Sequence, residues 1–288
     1  MNELAIPAPR EAWRRLPLCA APMGEHLARL EALLSGIAAT GQPVLSWYLG
    51  VPPALVLGFG QKAPVVDAAA CRAAGVPVYK RPAGGTAVYF SVWNLGQDIF
   101  LPPGHPLAGH DIVEAYRWLG EIWADTLRAL DLPARVVSPA EAHAPRARPI
   151  TDEDALARLA CYGMLSPYEV VVEGRKVVGL DQVRRRAGYL FQAGVLRRWE
   201  AERLAHLLAV APAERTTLVR VLRERAVGLD ELLGRDIAPD ELAARFEMVL
   251  AGRLGIGLVD RPWTVAEAAV ARQIEQERYQ PMRLEDPS

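Results

Sequence analysis

Apolar positions along the chain change their period several times, and each change marks an expected element. Over residues 23–36 they recur at helical spacing, with Leu27, Leu30, Leu33 and Leu34 on one side and Gly36 available as a stop, which predicts a first helix. VLSWYL at 44–49 and ALVLGF at 54–59 predict strands, and DAAACRAAG at 67–75 predicts a short helix opening at Asp67 and ending near Gly75. Three more strands are expected from VPVYKR at 76–81, TAVYF at 86–90 and WNLGQDIFLP at 93–102, the first two separated by a Gly-Gly turn. After a loop at 102–109, the amphipathic pattern over 111–130, with Trp118 and Trp123 among its large apolar residues, predicts a longer helix. Residues 138–154, with Pro139, Pro145, Pro149 and the acidic run at 152–154, read as an exposed excursion.

The segment YEVVVEGRKVVGL at 168–180 has two β-rich runs joined at Glu173, Gly174 and Arg175, the pattern of a hairpin whose second strand begins at Lys176. Another strand is expected from GYLFQAGVLRRW at 188–199. From about Ala201 the composition shifts to Ala, Leu, Arg and Glu at helical spacing, with helices near 239–252 and 264–279. The expected organisation is therefore a main domain over 1–205 and a helical C-terminal appendage over 206–288, without internal repeats.

Between Glu31 and Lys62 lie thirty uncharged residues, a length that could span a bilayer. Pro43, Pro52, Pro53, Gly41, Gly50 and Gly58 break that stretch into a helix end and two strands, so buried strands are expected and no membrane span. A hydrophobic content of 51% in 288 residues is ample for a core, and a formal net charge of −1 removes the general electrostatic reason to expect nucleic acid. The three cysteines, Cys19, Cys71 and Cys161, show no C-x-x-C spacing and fit a reducing cytoplasm, while the N-terminal residues lack the basic start and apolar run of an export signal.

Several residues could carry chemistry. The segment Arg81-Pro82-Ala83-Gly84-Gly85-Thr86 lies between two strands, and its glycine pair lets backbone N–H groups approach an anionic or carbonyl-bearing ligand; an ordinary hairpin turn has the same composition. Lys176 is one of three lysines in a chain with thirty arginines, which suggests a need for a compact ammonium, although an exposed strand lysine has the same appearance. Cys161 precedes the hairpin that carries Lys176, and a cation beside a thiol raises its thiolate fraction. A buried, inert cysteine is the alternative. Histidines 26, 105, 110, 143 and 206 show no metal-ligand spacing and no Ser-His-Asp arrangement, so no metal site is expected. Arg184, Arg185 and Arg186 form a basic cluster that suits either an acidic partner or a solvated strand end.

Three segments in order and spacing, at 45–61, 76–102 and 160–196, resemble the biotin and lipoate protein ligase superfamily, and within it the cysteine-dependent octanoyltransferases and lipoate ligases. The resemblance covers roughly 13–200 and implies an α+β fold, biotin/lipoyl ligase-like and related to class II aminoacyl-tRNA synthetases, with a mixed sheet and flanking helices. By the same resemblance Arg81, Gly84 and Gly85, with Thr86 and Ala87, line an acyl pocket to which Gly179 and Gln192 also belong. Lys176 matches the lysine that holds the acyl carbonyl or acyl-phosphate oxygen, and Cys161 matches the cysteine that takes the acyl group as a thioester. The chain departs from the family pattern at Thr86, where a third loop glycine is usual, at Leu180 and Asp181, where small residues are usual, and at Ala193, where Gln192-Ala193-Gly194 replaces Gln-His-Gly.

The implied activity is transfer of an octanoyl or lipoyl group from an acyl carrier protein, through a Cys161 thioester, to the lysine of a lipoyl carrier domain or a glycine cleavage H-like protein. An ATP-dependent lipoate ligase and a noncatalytic acyl-binding protein on the same fold are the alternatives. No cofactor is required beyond the octanoate or lipoate substrate, with ATP and magnesium needed only by the ligase, and neither nucleic acid nor membrane is an expected partner.

Overall fold

The computed structural model of the chain describes residues 10–144 and 149–284. Strands β1 (Glu11–Arg15) and β2 (Cys19–Ala21) precede helix α1 (Met23–Thr40), followed by β3 (Val44–Gly50), β4 (Ala54–Leu57), α2 (Ala68–Ala73), β5 (Val78–Lys80), β6 (Val88–Phe90) and β7 (Asn94–Leu101). Then come α3 (Arg117–Arg128), β8 (Ala134–Val136), α4 (Pro139–His143), α5 (Asp152–Ala157), β9 (Val170–Val172), β10 (Arg175–Arg185) and β11 (Gly188–Leu196). The chain closes with α6 (Ala201–Leu207), α7 (Pro212–Arg225), α8 (Leu229–Leu233), α9 (Pro239–Leu254), β12 (Ile256–Asp260) and α10 (Val265–Arg278).

Nine strands form one mixed sheet in the order β12-β1-β3-β7-β11-β10-β9-β8, with β2 beside β3, and β5-β4-β6 form a second, smaller sheet. The alternation along β3 shows how the large sheet is covered. Val44 packs with Leu30, Leu34 and Ile37 of α1, whereas Leu45 and Trp47 turn to the opposite face. There Trp47 meets Trp123 of α3 and Phe246 of α9 edge-on, at centroid distances of 6.0 and 5.5 Å. Helices thus seal both faces, and all eight residues of the central strand β7 are buried. The hairpin expected at Glu173-Gly174 is present, with φ of 51° and 80°, the positive pair that a two-residue turn between twisted strands demands.

Some expectations are corrected. The helix expected over 111–130 begins only at Arg117, because the Asp111 carboxylate accepts from the N–H groups of Val113 and Glu114 and a 3-10 turn occupies Glu114–Tyr116. Of the excursion at 138–154, residues 145–148 lie outside the described residues, and the acidic run is the first turn of α5, where Asp154 is buried and paired with Arg225 at 2.8 Å. The basic cluster is largely consumed within the chain: Arg184 donates to the carbonyls of Ala108 and Gly109, and Arg185 pairs with Glu31. Residues beyond 205 do include helices, but they are woven into the main body. Leu242, Phe246 and Leu250 of α9 sit in the large core, β12 pairs in parallel with β1, and α6 and α7 pack on the small sheet through Leu204, Leu218 and Leu222.

Candidate active site

The loop between β5 and β6 folds around a single guanidinium. Arg81 donates through Nη2 to the Gly84 carbonyl at 2.7 Å, and its Nε lies 3.5 Å from Asp181 Oδ2 on β10. Gly85 adopts φ +75°, and a Cβ there would stand 2.7 Å from Arg81 Nη2, so the close wrap needs glycine. A second glycine admits the neighbouring loop, since a Cβ on Gly58 would fall 2.0 Å from the Gly85 carbonyl oxygen.

Cys161 reaches this loop from the far side. Its N–H donates to the Ala87 carbonyl at 2.9 Å, and the Ala87 N–H donates to the Leu159 carbonyl at 3.2 Å, a short parallel stitch that draws the cysteine under Gly85. The sulfur then lies 3.9 Å from Arg81 Nη2, and a Cβ on Gly85 would be 3.4 Å from it. The cation in contact with the sulfur is therefore Arg81. Cys161 and Arg81 border a cavity whose apolar wall is Met23, Leu27, Val56, Val88, Phe90 and Leu180. Gly179, Asp181, Gln192 and Gly194 line it as well. Gly84, Gly85, Thr86 and Ala87, expected in the pocket, do not line it; the two glycines wrap Arg81, and Ala87 acts through its backbone, as the stitch to Cys161.

Lys176 is close to Cys161 but in a different role from the one expected. Its ammonium donates to the Glu169 carboxylate at 2.7 and 2.8 Å and to the carbonyls of Cys161 and Met164, both at 2.9 Å. An ammonium has three hydrogens, and these partners use them all. Lys176 is 1% exposed, does not line the cavity, and pins the Cys161 turn from beneath; an acyl carbonyl would have to displace one of these partners. Burial pushes the Glu169 carboxyl up, against the pull of Lys176. The same turn is braced from α7, where Arg225 donates to the Gly163 carbonyl at 3.0 Å.

The cavity wall also holds polar and aromatic residues that were not anticipated, His26, Tyr48 and Tyr162. His26 of α1 lines the cavity, stacked on Tyr48 with ring centroids 3.3 Å apart, so the cavity has a histidine even though position 193 does not. Its Nε2 is 3.4 Å from Asp98 Oδ2, and Asp98 Oδ1 accepts from Gln192 Nε2 at 2.7 Å. Tyr48 fits because its ring lies over Gly96, where a Cβ would be 2.2 Å from Cζ. In the adjacent strand Gly194 makes the corresponding room for Tyr162, whose hydroxyl donates to the Gly194 carbonyl at 2.7 Å.

Burial pushes the Asp98 carboxyl up to about 7, while burial, aided by Arg29, holds the His26 imidazole down at about 3. Their linkages to folding have opposite signs. Asp98 keeps a proton in the folded chain that the unfolded chain has lost, so its contribution falls as pH rises from about 4 to about 7. His26 refuses a proton that the unfolded chain takes, so its contribution is lost as pH falls below about 6.5 towards 3. Near pH 5 the two nearly cancel. Removing either one uncovers the other: Asp98→Asn should make stability climb with pH between about 4 and 6.5, and His26→Gln should make it fall over the same window, each by up to about 4 kcal/mol. Urea unfolding at four pH values reads both slopes, and parallel profiles for the two variants would refute the coupling.

Residues 22–251 match the family model described as lipoyl protein ligase A/B catalytic domain. The chain is 29% identical over 273 residues to the octanoyltransferase LipM of Carboxydothermus hydrogenoformans, covering 93% of this chain and 96% of that protein. It is 31% identical over 241 residues to the octanoyltransferase LipM of Kyrpidia tusciae, covering 81% and 83%. Among solved structures, the bi-partite lipoate protein ligase of Thermoplasma acidophilum, described with its E2 lipoyl domain, superposes with a TM-score of 0.75 at 20% identity over 93% of both chains. A lipoate-protein ligase A bound with ATP gives 0.72 at 21% identity, over 93% of this chain and 96% of that one. These structural likenesses concern the fold.

Proposed function

This chain belongs to the lipoyl protein ligase A/B catalytic domain family, and we propose that within it the protein is a cytoplasmic octanoyltransferase working through an acyl-Cys161 intermediate. The observation that carries this reading is the position of the Cys161 sulfur, at the border of an apolar cavity and 3.9 Å from the Arg81 guanidinium. The donor is an acyl carrier protein bearing an octanoyl thioester. The acceptor is the lysine of a lipoyl carrier domain or a glycine cleavage H-like protein.

Each half of the exchange balances without a cofactor. The Cys161 sulfur attacks the donor carbonyl carbon as it gives up its proton, a new carbon–sulfur bond forms as the acyl–sulfur bond of the donor breaks, and the departing carrier thiolate takes up the equivalent proton. The acceptor amine then attacks the acyl-Cys161 carbonyl, the amide forms, and the Cys161 sulfur leaves as the nitrogen gives up its proton. Arg81 places positive charge where the carbonyl oxygen becomes anionic in both steps. The hydrocarbon tail occupies the wall formed by Met23, Leu27, Val56 and Phe90. Lys176 is a positioning residue here: with Glu169 it fixes the carbonyls of Cys161 and Met164 and so the direction of the sulfur.

Intact-protein mass after mixing with octanoyl carrier protein tests the intermediate. One hydroxylamine-labile octanoyl adduct is expected, located at Cys161 and discharged on adding a lipoyl domain. Transfer that instead requires octanoate, ATP and magnesium, and leaves no adduct, would replace this reading with a ligase.

A further inference from the structure

We propose that the rim around Cys161 is a docking surface for the acidic face of the acyl carrier that delivers the donor thioester, with Phe59 as its apolar anchor and Lys62, Lys80 and Arg158 as its charges. This rests on the transferase reading above and adds where, and by what chemistry, the donor binds.

Three segments make the rim, 58–62, 80–86 and 158–161, and hydrogen bonds tie them together. The Phe59 N–H donates to the Ala83 carbonyl at 2.9 Å, the Arg81 N–H donates to the Leu57 carbonyl at 2.9 Å, and Gln61 Nε2 donates to the Leu159 carbonyl at 3.2 Å. The same backbone stitch that places Cys161 joins the last segment to Ala87, so this rim and the sulfur move as one unit. Not one carboxylate occurs in these segments, whereas Lys62, Lys80, Arg81 and Arg158 do. Arg81 turns inward to Gly84 and Asp181, and the other three are exposed.

These cations are set apart by standing together on one carboxylate-free rim, since exposed Arg10, Arg186, Arg203, Arg261 and Arg272 also form no ion pair among the described residues. Arg117, Arg135 and Arg220 each hold a carboxylate, but among the described residues Lys62, Lys80 and Arg158 form no ion pair. Two of the three lysines in an arginine-rich chain therefore stand at this mouth with their charge unspent. Phe59 stands with them, 69% exposed, its ring 5.7 Å from Lys80 Nζ. An exposed aromatic flanked by uncompensated cations suits a protein surface that brings carboxylates around an apolar spot: the charges speed encounter, and the ring holds the complex. A carrier seated there has its acyl thioester beside Gly84 and Gly85, directly over the sulfur.

The test uses the full chain with Cys161→Ala, so that binding is read without turnover. Octanoyl carrier protein is titrated against this background and against the same background carrying Lys62→Glu, Lys80→Glu and Arg158→Glu together. The charge reversal should weaken binding at least tenfold at low salt and abolish its salt dependence, and Phe59→Ala should weaken it at every salt concentration. In the Cys161-containing protein, the reversal should leave acylation by a small octanoyl-pantetheine thioester within twofold. Equal carrier affinity in the reversed and unreversed proteins overturns the docking surface, as does an equal loss with the small thioester. Rim-dependent carrier binding with no Cys161 acylation from either donor would uphold the surface and overturn the transferase reading instead.

Discussion

Cys161→Ala should lower octanoyl transfer from a thioester donor to a lipoyl domain by at least about a thousandfold, the scale on which removing a nucleophile acts when the rest of a site is intact. The cavity should survive the change. Only the sulfur is lost, and the backbone bond from Cys161 to Ala87 and the grip of Lys176 on the Cys161 carbonyl involve main-chain atoms that alanine keeps. Octanoyl carrier protein should therefore bind the variant with wild-type affinity while no adduct forms. Single-turnover kinetics with mass detection separates the two effects. A variant that still transfers within tenfold of wild type would mean that the acceptor lysine attacks the donor directly, with Cys161 a bystander.

Lys176→Met should cost about 3–5 kcal/mol of folding stability, because it leaves the Glu169 carboxylate buried without its cation. Burial already pushes that carboxyl up against the pull of Lys176; without Lys176 that opposing pull is gone and the carboxyl is pushed up further, so the variant should lose stability as pH rises. Adding Glu169→Gln to the methionine variant should recover much of the loss. Lys176→Arg keeps the charge but cannot seat a planar fork among one carboxylate and two carbonyls arranged for an ammonium. The Cys161 turn would shift, so the rate of Cys161 acylation should fall while carrier affinity holds. An arginine variant with unchanged acylation would show that the turn does not depend on this grip. Urea melts and single-turnover acylation distinguish the stability effect from the positioning effect.

The parts of the molecule legible in the sequence are those whose signal is local. The strands around VLSWYL and WNLGQDIFLP, the helix capped by Asp67 and the Glu173-Gly174 hairpin all follow from short patterns. Strands β1, β2, β8 and β12 were not read, since each is three to five residues long and is a strand because of a distant neighbour, as β1 is beside β12. In the candidate site, Arg81, Cys161 and Gln192 line one cavity while Gly84 and Gly85 stay outside its lining, and Arg81, not Lys176, touches the sulfur. His26 and Asp98 gave no motif because they come from a helix and a strand far apart in the chain. One signal was nevertheless available: Gln97 and Asp98 are consecutive polar residues in the middle of a largely apolar central strand, so they must point to opposite buried faces and each must find a partner. Gln97 accepts from Trp123 Nε1 at 3.0 Å on one face, and Asp98 reaches His26 and Gln192 on the other.

The parallel pairing of β1 with β12 sets a schedule for synthesis. Arg15 and Asp260 are partners across 245 positions, so the outer edge of β1 lacks this neighbour until β12 has left the ribosome. At typical elongation rates of 5–20 residues per second that interval is on the order of ten to fifty seconds. Throughout it, Trp13, fully buried in the folded protein, lacks the neighbour that Leu258 of β12 supplies across the pairing. A nascent chain with that edge open is a substrate for holding chaperones and a hazard for pairing with its neighbours on a polysome, and slowing translation before β12 would lengthen the exposure.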